Sequence, residues 1–331
     1  MRRAVLAADA ELPDAGPLPS AWPGRTVRVN GVSLFVRATP PTTAAAEPAL
    51  YVHGLGGSAQ NWTDLAGLLA GRVDGIAVDL PGFGHSDPAR RYTQPALAGY
   101  VIRLLEQTRR GPVHLLGNSL GGAICVRVAA LRPDLVRTLT LISPAMPFMD
   151  PRRSLQGRLV PFLALPRVDR LAARRLAAID PEMLATQVLE ACFADPSAIP
   201  PQRLAEAVEE ARRRSEVGHF AGAYTGAMRG LVLSFLRAQL PGRGSLWSMA
   251  RRITAPTLVV AGMRDRLVDV RVAPRVARLI GDSRLLLLPD VGHVAQMETP
   301  RTVARAVLGL LDTVSAEPVR PARSPDSTSS R

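Results

Sequence analysis

Pro112-Val113-His114-Leu115-Leu116-Gly117-Asn118-Ser119-Leu120-Gly121-Gly122 is the stretch from which the fold of this chain is read. Its first five residues form an apolar run that reads as a strand, and residues 123–131 carry a helical pattern. The order is therefore strand, sharp turn, helix, with Ser119 at the apex of a G-x-S-x-G turn. Glycines flank the serine because so tight a turn leaves no room for side chains near its Cα. Such a turn holds the serine in a strained backbone conformation and lifts Oγ clear of the sheet. The helix that follows brings free N–H groups and a positive end. The N–H of Leu120 is thereby aimed at a developing oxyanion.

Working outward, short apolar runs alternate with helical patterns. Arg25-Thr26-Val27-Arg28-Val29-Asn30 and Ser33-Leu34-Phe35-Val36-Arg37 alternate in polarity around Asn30-Gly31, which predicts a hairpin at one sheet edge. Ala49-Leu50-Tyr51-Val52 and Gly75-Ile76-Ala77-Val78 read as buried strands, with helices expected near 62–69 and 95–109. Val136-Arg137-Thr138-Leu139-Thr140-Leu141-Ile142 is a further strand; two more follow at 257–262 and 284–288, with helices at 270–280 and 299–312. The pattern predicts an α/β fold, a mainly parallel sheet with helices on both faces. Ligands then gather at the carboxyl ends of the strands, where His53, Ser119 and the loop 79–86 all lie.

The alternation breaks over residues 146–250, which read as helices at 167–178, 181–192, 201–216 and 219–239 between Pro-rich turns. The expected organisation is a flexible arm over 1–24, core over 25–145, an inserted helical cap over 146–250, core again over 251–314, and a disordered tail over 315–331.

Composition narrows the function. The 331 residues are 47% hydrophobic and 4% aromatic, with 41 basic residues, every one an arginine, against 28 acidic ones, a formal charge of +13. The arginines are scattered rather than massed, and aromatics do not interleave with them as a single-strand nucleic-acid platform requires. No nucleic-acid partner is expected. Cys125 and Cys192 have neither metal-ligand spacing nor a disulfide framework, so no metal site is expected. The apolar run after Met1-Arg2-Arg3 stops at Asp9, too short for a signal peptide, and no run approaches the ~18 residues of a membrane span. These features predict a cytoplasmic protein without stable membrane insertion, acting on a small molecule; they leave its oligomeric state open.

A serine hydroxyl is a poor nucleophile near neutral pH and needs a base, itself oriented by an acid. Gly262-Met263-Arg264-Asp265 places a carboxylate beyond one strand, and Pro289-Asp290-Val291-Gly292-His293 places an imidazole beyond the next. Ser119, Asp265 and His293 are therefore the expected catalytic residues, with Asp269, Asp290 and the more remote Asp150 as other possible acids. The second oxyanion donor is expected from the loop His53-Gly54-Leu55-Gly56, Leu55 ahead of Gly56, with His53 shaping the loop rather than acting as a second base.

Taken together, His53-Gly54-Leu55-Gly56, Asp79-Leu80-Pro81-Gly82-Phe83-Gly84-His85-Ser86, Gly117-Asn118-Ser119-Leu120-Gly121-Gly122, the Gly262-x-x-Asp265 spacing and Gly292-His293 resemble the α/β-hydrolase superfamily. The resemblance covers about residues 25–145 and 252–312. It implies an eight-stranded, mostly parallel sheet, a triad of Ser119, His293 and Asp265, and an oxyanion hole from the N–H groups of Leu120 and Leu55. No cofactor is required. Epoxide hydrolases and haloalkane dehalogenases in this superfamily carry Asp at the elbow, which Ser119 argues against. Gly-Asn-Ser-x-Gly-Gly also resembles carbon–carbon bond hydrolases of ring meta-cleavage products, with Asn118 at their elbow asparagine. That group carries Trp directly after the catalytic His, where this chain has Val294.

A carboxylic ester is the expected substrate, with carbon–carbon bond hydrolysis as the alternative. His53, Gly54, Asn118, Phe162, Phe220, Tyr224 and Val294 are the expected substrate-contacting residues, within a cap rich in apolar residues such as Leu159, Leu163, Met183, Leu184, Met228, Leu231 and Phe235. Two rivals remain. Gly54-Leu55-Gly56-Gly57-Ser58-Ala59, followed by Asp79 at the next strand end, formally fits a dinucleotide-binding loop. The positive charge and the basic segment 158–175 would suit a non-catalytic, membrane-surface protein on a hydrolase scaffold.

Overall fold

The computed structural model describes residues 1–14, 16–148, 168–238 and 244–315. A hairpin opens the core: β2 (Gly24–Val29) and β3 (Val32–Thr39) pair antiparallel with Val29 opposite Val32. Asn30 and Gly31 turn the corner with φ of 49° and 80°, left-handed at both positions as a type I′ turn demands. Strands β4 (Glu47–Val52), β5 (Val73–Val78), β6 (Val113–Asn118), β7 (Val136–Ile142), β8 (Thr257–Gly262) and β9 (Ser283–Leu288) then run parallel to one another. With the short strand β1 (Arg2–Arg3), the order across the sheet is β1-β9-β8-β7-β6-β4-β5-β3-β2.

Side chains alternate between two apolar layers. From β6, Leu115 joins one core cluster and Leu116 the other; from β4, Val52 and Tyr51 divide the same way. Helices α1 (Thr63–Leu69), α2 (Gln94–Thr108) and α3 (Leu120–Leu131) connect the first strands. Between β7 and β8 lie α4 (Val168–Ala177), α5 (Pro181–Cys192), α6 (Pro201–Glu216), α7 (Phe220–Arg237) and α8 (Leu246–Ala250). The chain closes with α9 (Val272–Leu279), α10 (Ala295–Glu298) and α11 (Pro300–Ser315). One core cluster takes in α2, α3 and α9, the other α1 and α11, so both sheet faces are covered.

The ninth strand corrects the expected count of eight, and the expected arm over 1–24 differs from what is found. Arg2 and Arg3 form β1, parallel to β9, and the Ala4 N–H donates to Leu285 O at 3.0 Å. Ala7 is buried; its N–H donates to Arg305 O at 3.0 Å, and Arg305 Nε donates to its carbonyl at 2.7 Å. A two-residue strand has no periodicity to read, so only the free edge of β9 selects it.

Asp150, Leu159, Phe162, Leu163, most of the basic segment 158–175 and tail residues 316–331 lie outside the described residues. Among the described residues, no helix is long and apolar enough to cross a membrane.

Candidate active site

Ser119 sits between the end of β6 and the start of α3 with φ 53° and ψ −117°, a region that a residue with a Cβ rarely visits and that costs about 1–3 kcal/mol. Three backbone hydrogen bonds hold it there. Its N–H donates to Ile142 O at 3.0 Å, and its carbonyl accepts from Ala123 at 3.1 Å and Ala145 at 2.9 Å. The elbow glycines answer to packing. A Cβ on Gly121 would lie 2.1 Å from Val52 O, and one on Gly117 would lie 2.6 Å from Cys125 Sγ. Leu120 opens α3, so its N–H has no carbonyl one turn earlier to bond.

The loop after β4 closes on this turn. Gly57 N–H donates to Gly54 O at 3.1 Å across a turn with Gly56 at φ +73°. A Cβ on Gly54 would meet Ser119 Cβ at 3.1 Å, so the backbone beside Leu55 abuts the serine.

Asp265 and His293 meet across two loops. His293 Nδ1 lies 2.8 Å from Asp265 Oδ2, and both side chains are almost wholly buried, 5% and 2% exposed. Asp265 Oδ1 accepts the N–H groups of Leu267 at 2.8 Å and Val268 at 2.9 Å. Burial disfavours its charge, but His293 and these two N–H groups outweigh burial and hold the carboxyl below its ordinary value. The other possible acids are spent elsewhere: Asp269 on Arg271, and the exposed Asp290 on Arg264.

Cys192 and Glu298, outside the expected set, and Asn118, within it, hold the backbone of the histidine loop. His293 N–H donates to Cys192 O at 2.7 Å, at the end of α5. The Glu298 carboxylate accepts the N–H groups of both Gly292 and Ala194, clamping the histidine loop to the chain beyond α5. Asn118 Nδ2 donates to Ile142 O at 3.2 Å and His293 O at 3.1 Å. Asn118 does line the cavity, but its amide N–H groups serve as a strut between strands and loop.

His53 departs from the expected substrate contact and not from its expected part in the loop. It is fully buried and is not among the residues lining the cavity. Leu80 N–H donates to its Nε2 at 2.9 Å, leaving Nδ1–H to donate to Gly54 O at 2.7 Å. It shapes the loop and does not contact the cavity. Asp79 is likewise internal: its carboxylate accepts Ala59 N–H at 2.7 Å and His85 N–H at 2.8 Å. That use of Asp79 removes the ribose-binding acid which the dinucleotide reading needed.

A cavity of about 380 Å³ joins these pieces. Gly54, Leu55, Asn118, Ser119, His293 and Val294 line its floor. Leu184, Phe220, Tyr224 and Met228 line it from α5 and α7. Of the other expected apolar residues, Met183 faces solvent at 53% exposure, whereas Leu231 and Phe235 are buried in the core.

One side of the cavity is the face of α6 carrying Arg203, Glu206, Glu210 and Arg214. Arg214 donates to Gly56 O at 2.7 Å and Gly57 O at 3.1 Å, pairs with Glu210, and stacks 4.9 Å over Phe220. Ser58 Oγ donates to Glu210 at 2.7 Å. Arg214 and Glu210 thus hold the loop that carries Leu55. Their i, i+4 spacing was visible in the sequence, but an exposed helix pair has the same spacing.

Residues 48–300 match a family described as alpha/beta hydrolase fold. The dihydrolipoyllysine-residue acetyltransferase component of an acetoin cleaving system from Pseudomonas putida is 31% identical over 265 residues, 80% of this chain. The chain spans 63% of that relative's length. A 2-hydroxy-6-oxo-6-(2'-aminophenyl)hexa-2,4-dienoic acid hydrolase from Metapseudomonas resinovorans is 28% identical over 301 residues, 88% of this chain and 92% of that one. Among solved structures, a bacterial membrane phospholipase A shares the fold with a TM-score of 0.71 at 23% identity, covering 90% of this chain and 88% of that one.

Proposed function

This chain belongs to the α/β-hydrolase family, and from that membership we propose that it is a serine hydrolase of a small, largely apolar carboxylic ester or related acyl compound. The observation that carries this reading is the buried Asp265–His293 hydrogen bond, with His293 and Ser119 on the wall of one cavity. The Asp265 carboxylate keeps the Nδ1–H tautomer, which leaves Nε2 as the basic nitrogen. His293 takes the Ser119 proton as Oγ attacks the substrate carbonyl. The N–H groups of Leu120 and Leu55 stabilise the resulting oxyanion. The tetrahedral adduct expels the alcohol, which takes its proton from His293, and leaves an acyl group on Ser119. Water, deprotonated by His293, attacks the acyl-enzyme and releases the acid, returning the proton to Ser119. The helices between β7 and β8 act as the cap that shelters this chemistry.

Turnover of a p-nitrophenyl acyl ester should fall to background in Ser119→Ala, and a fluorophosphonate probe should label wild type but not the variant. Equal turnover by both proteins would end this reading. The likeness to the dienoic acid hydrolase, together with Asn118 at the elbow, favours carbon–carbon bond hydrolysis as a second reading. A ring-cleavage dienone assayed beside the ester separates the two.

A further inference from the structure

The proposed hydrolase leaves its substrate class open, and the charges along the cavity wall narrow it. The chain carries 41 arginines against 28 acidic residues, yet the charged side chains lining the cavity, among the described residues, are two arginines and two glutamates. Each arginine is already bound. Arg203, 4% exposed, places Nε 3.0 Å from Asp64 Oδ2 and Nη1 2.6 Å from Glu206, while Nη2 donates to Pro19 O at 2.8 Å. Arg214 is held by Glu210 and the carbonyls of Gly56 and Gly57. Glu210 is buried, and Arg214 together with the Ser58 hydroxyl keeps it ionised despite that burial. An anionic group entering this space would lose its water and find, among the described residues, no guanidinium without a carboxylate partner, while facing two carboxylates. A buried charge without a partner is strongly disfavoured, because nothing replaces the water it gives up. Neutral hydrogen-bonding groups are offered instead by Gln60 and Gln187, beside the apolar lining.

Resting on the hydrolase reading, we propose that this cavity selects uncharged esters, an apolar chain joined to a neutral hydroxyl-bearing group, and discriminates against substrates with a carboxylate or phosphate inside the cavity. The selectivity lies in the pairing of Arg203 and Arg214 with acidic partners. Removing an acidic partner makes the wall less negative and relieves the repulsion of an anion: Glu206→Gln leaves Arg203 balanced by Asp64 alone, and Glu210→Gln takes from Arg214 its carboxylate partner.

The test compares a glyceryl monoester with its glycerol-phosphate counterpart of the same acyl chain. Fluorophosphonate labelling of Ser119 is followed in parallel. The expected kcat/KM is at least about tenfold higher for the neutral ester. Glu206→Gln and Glu210→Gln should each narrow that ratio by about tenfold; because Glu210 is buried, Glu206→Gln keeps the test decisive if the other variant fails to fold. Labelled enzyme that prefers the phosphate ester overturns this inference and leaves the hydrolase reading standing. A ratio unmoved in a folded Glu206→Gln also overturns it. Absence of both labelling and turnover overturns the hydrolase reading, and this inference with it.

Discussion

Ser119 keeps an uncommon backbone conformation because its N–H and carbonyl are both bonded to neighbours that do not yield, in β7, the loop after it, and α3. The same logic applies to Asp265. One oxygen is committed to two backbone N–H groups, so the other can face only the imidazole. Asp265→Asn would retain the shape but lose the charge that selects the tautomer. The expected loss in kcat is about three to four orders of magnitude, with substrate binding largely kept, measured by steady-state kinetics. A loss smaller than about tenfold would remove Asp265 from the chemistry.

At the scale of elements, two close approaches set the geometry. The helix α3 presses on the end of β4 at Gly121, where an added methyl would meet two backbone carbonyls, Val52 O at 2.1 Å and His53 O at 2.5 Å. Gly121→Ala should therefore destabilise by about 3 kcal/mol or more, read as a fall in denaturation midpoint. The exposed Gly222, on α7, meets nothing within 4 Å, and Gly222→Ala should stabilise by about 0.5–1 kcal/mol. The second approach joins the histidine loop to the chain after α5 through Glu298. Glu298→Gln removes a charge that serves two N–H donors and should cost about 1.5–3 kcal/mol. Its kcat should fall as well, since the clamp positions His293. Unchanged kcat with lowered stability would limit Glu298 to a structural part.

For the whole molecule, two buried groups give a pH signature. Burial pushes His53 down to about 4, while burial and the nearby Glu210 push Asp79 up to about 6. An imidazole with a lowered folded pKa contributes stability above its unfolded value of about 6.5, and loses it as pH falls toward 4. A carboxyl with a raised folded pKa contributes stability below its unfolded value of 3.8, and loses it as pH rises through about 6. Between pH 6 and 4 the two oppose one another, each by about 1.4 kcal/mol per pH unit. His53→Gln removes the first and keeps the second. Its stability relative to wild type should rise as pH is lowered from 6 to 4, measured by denaturant midpoints across that range. A flat or falling difference would show that His53 is not held neutral by its surroundings.

What could be read from pattern alone is whatever short-range chemistry dictates. Asn30-Gly31 specifies a hairpin because both positions need positive φ. The Gly-rich turn at Ser119 specifies strand, elbow and helix, and the alternation of apolar runs specifies a parallel sheet. Asp265 and His293 could be singled out because the loops after strands gather at one rim. Packing was needed for the rest. Two residues of the N-terminal arm become a strand because β9 has an edge to fill. The Asp265 carboxylate, rather than Asp269 or Asp290, meets His293 because distant loops are brought into register, and no local pattern encodes that distance. Arg203 meets Asp64 where α6 lies against α1, and Arg214 meets the carbonyls of Gly56 and Gly57 in the loop after β4, so the charge balance of the cavity belongs to the folded chain and to no single stretch of it.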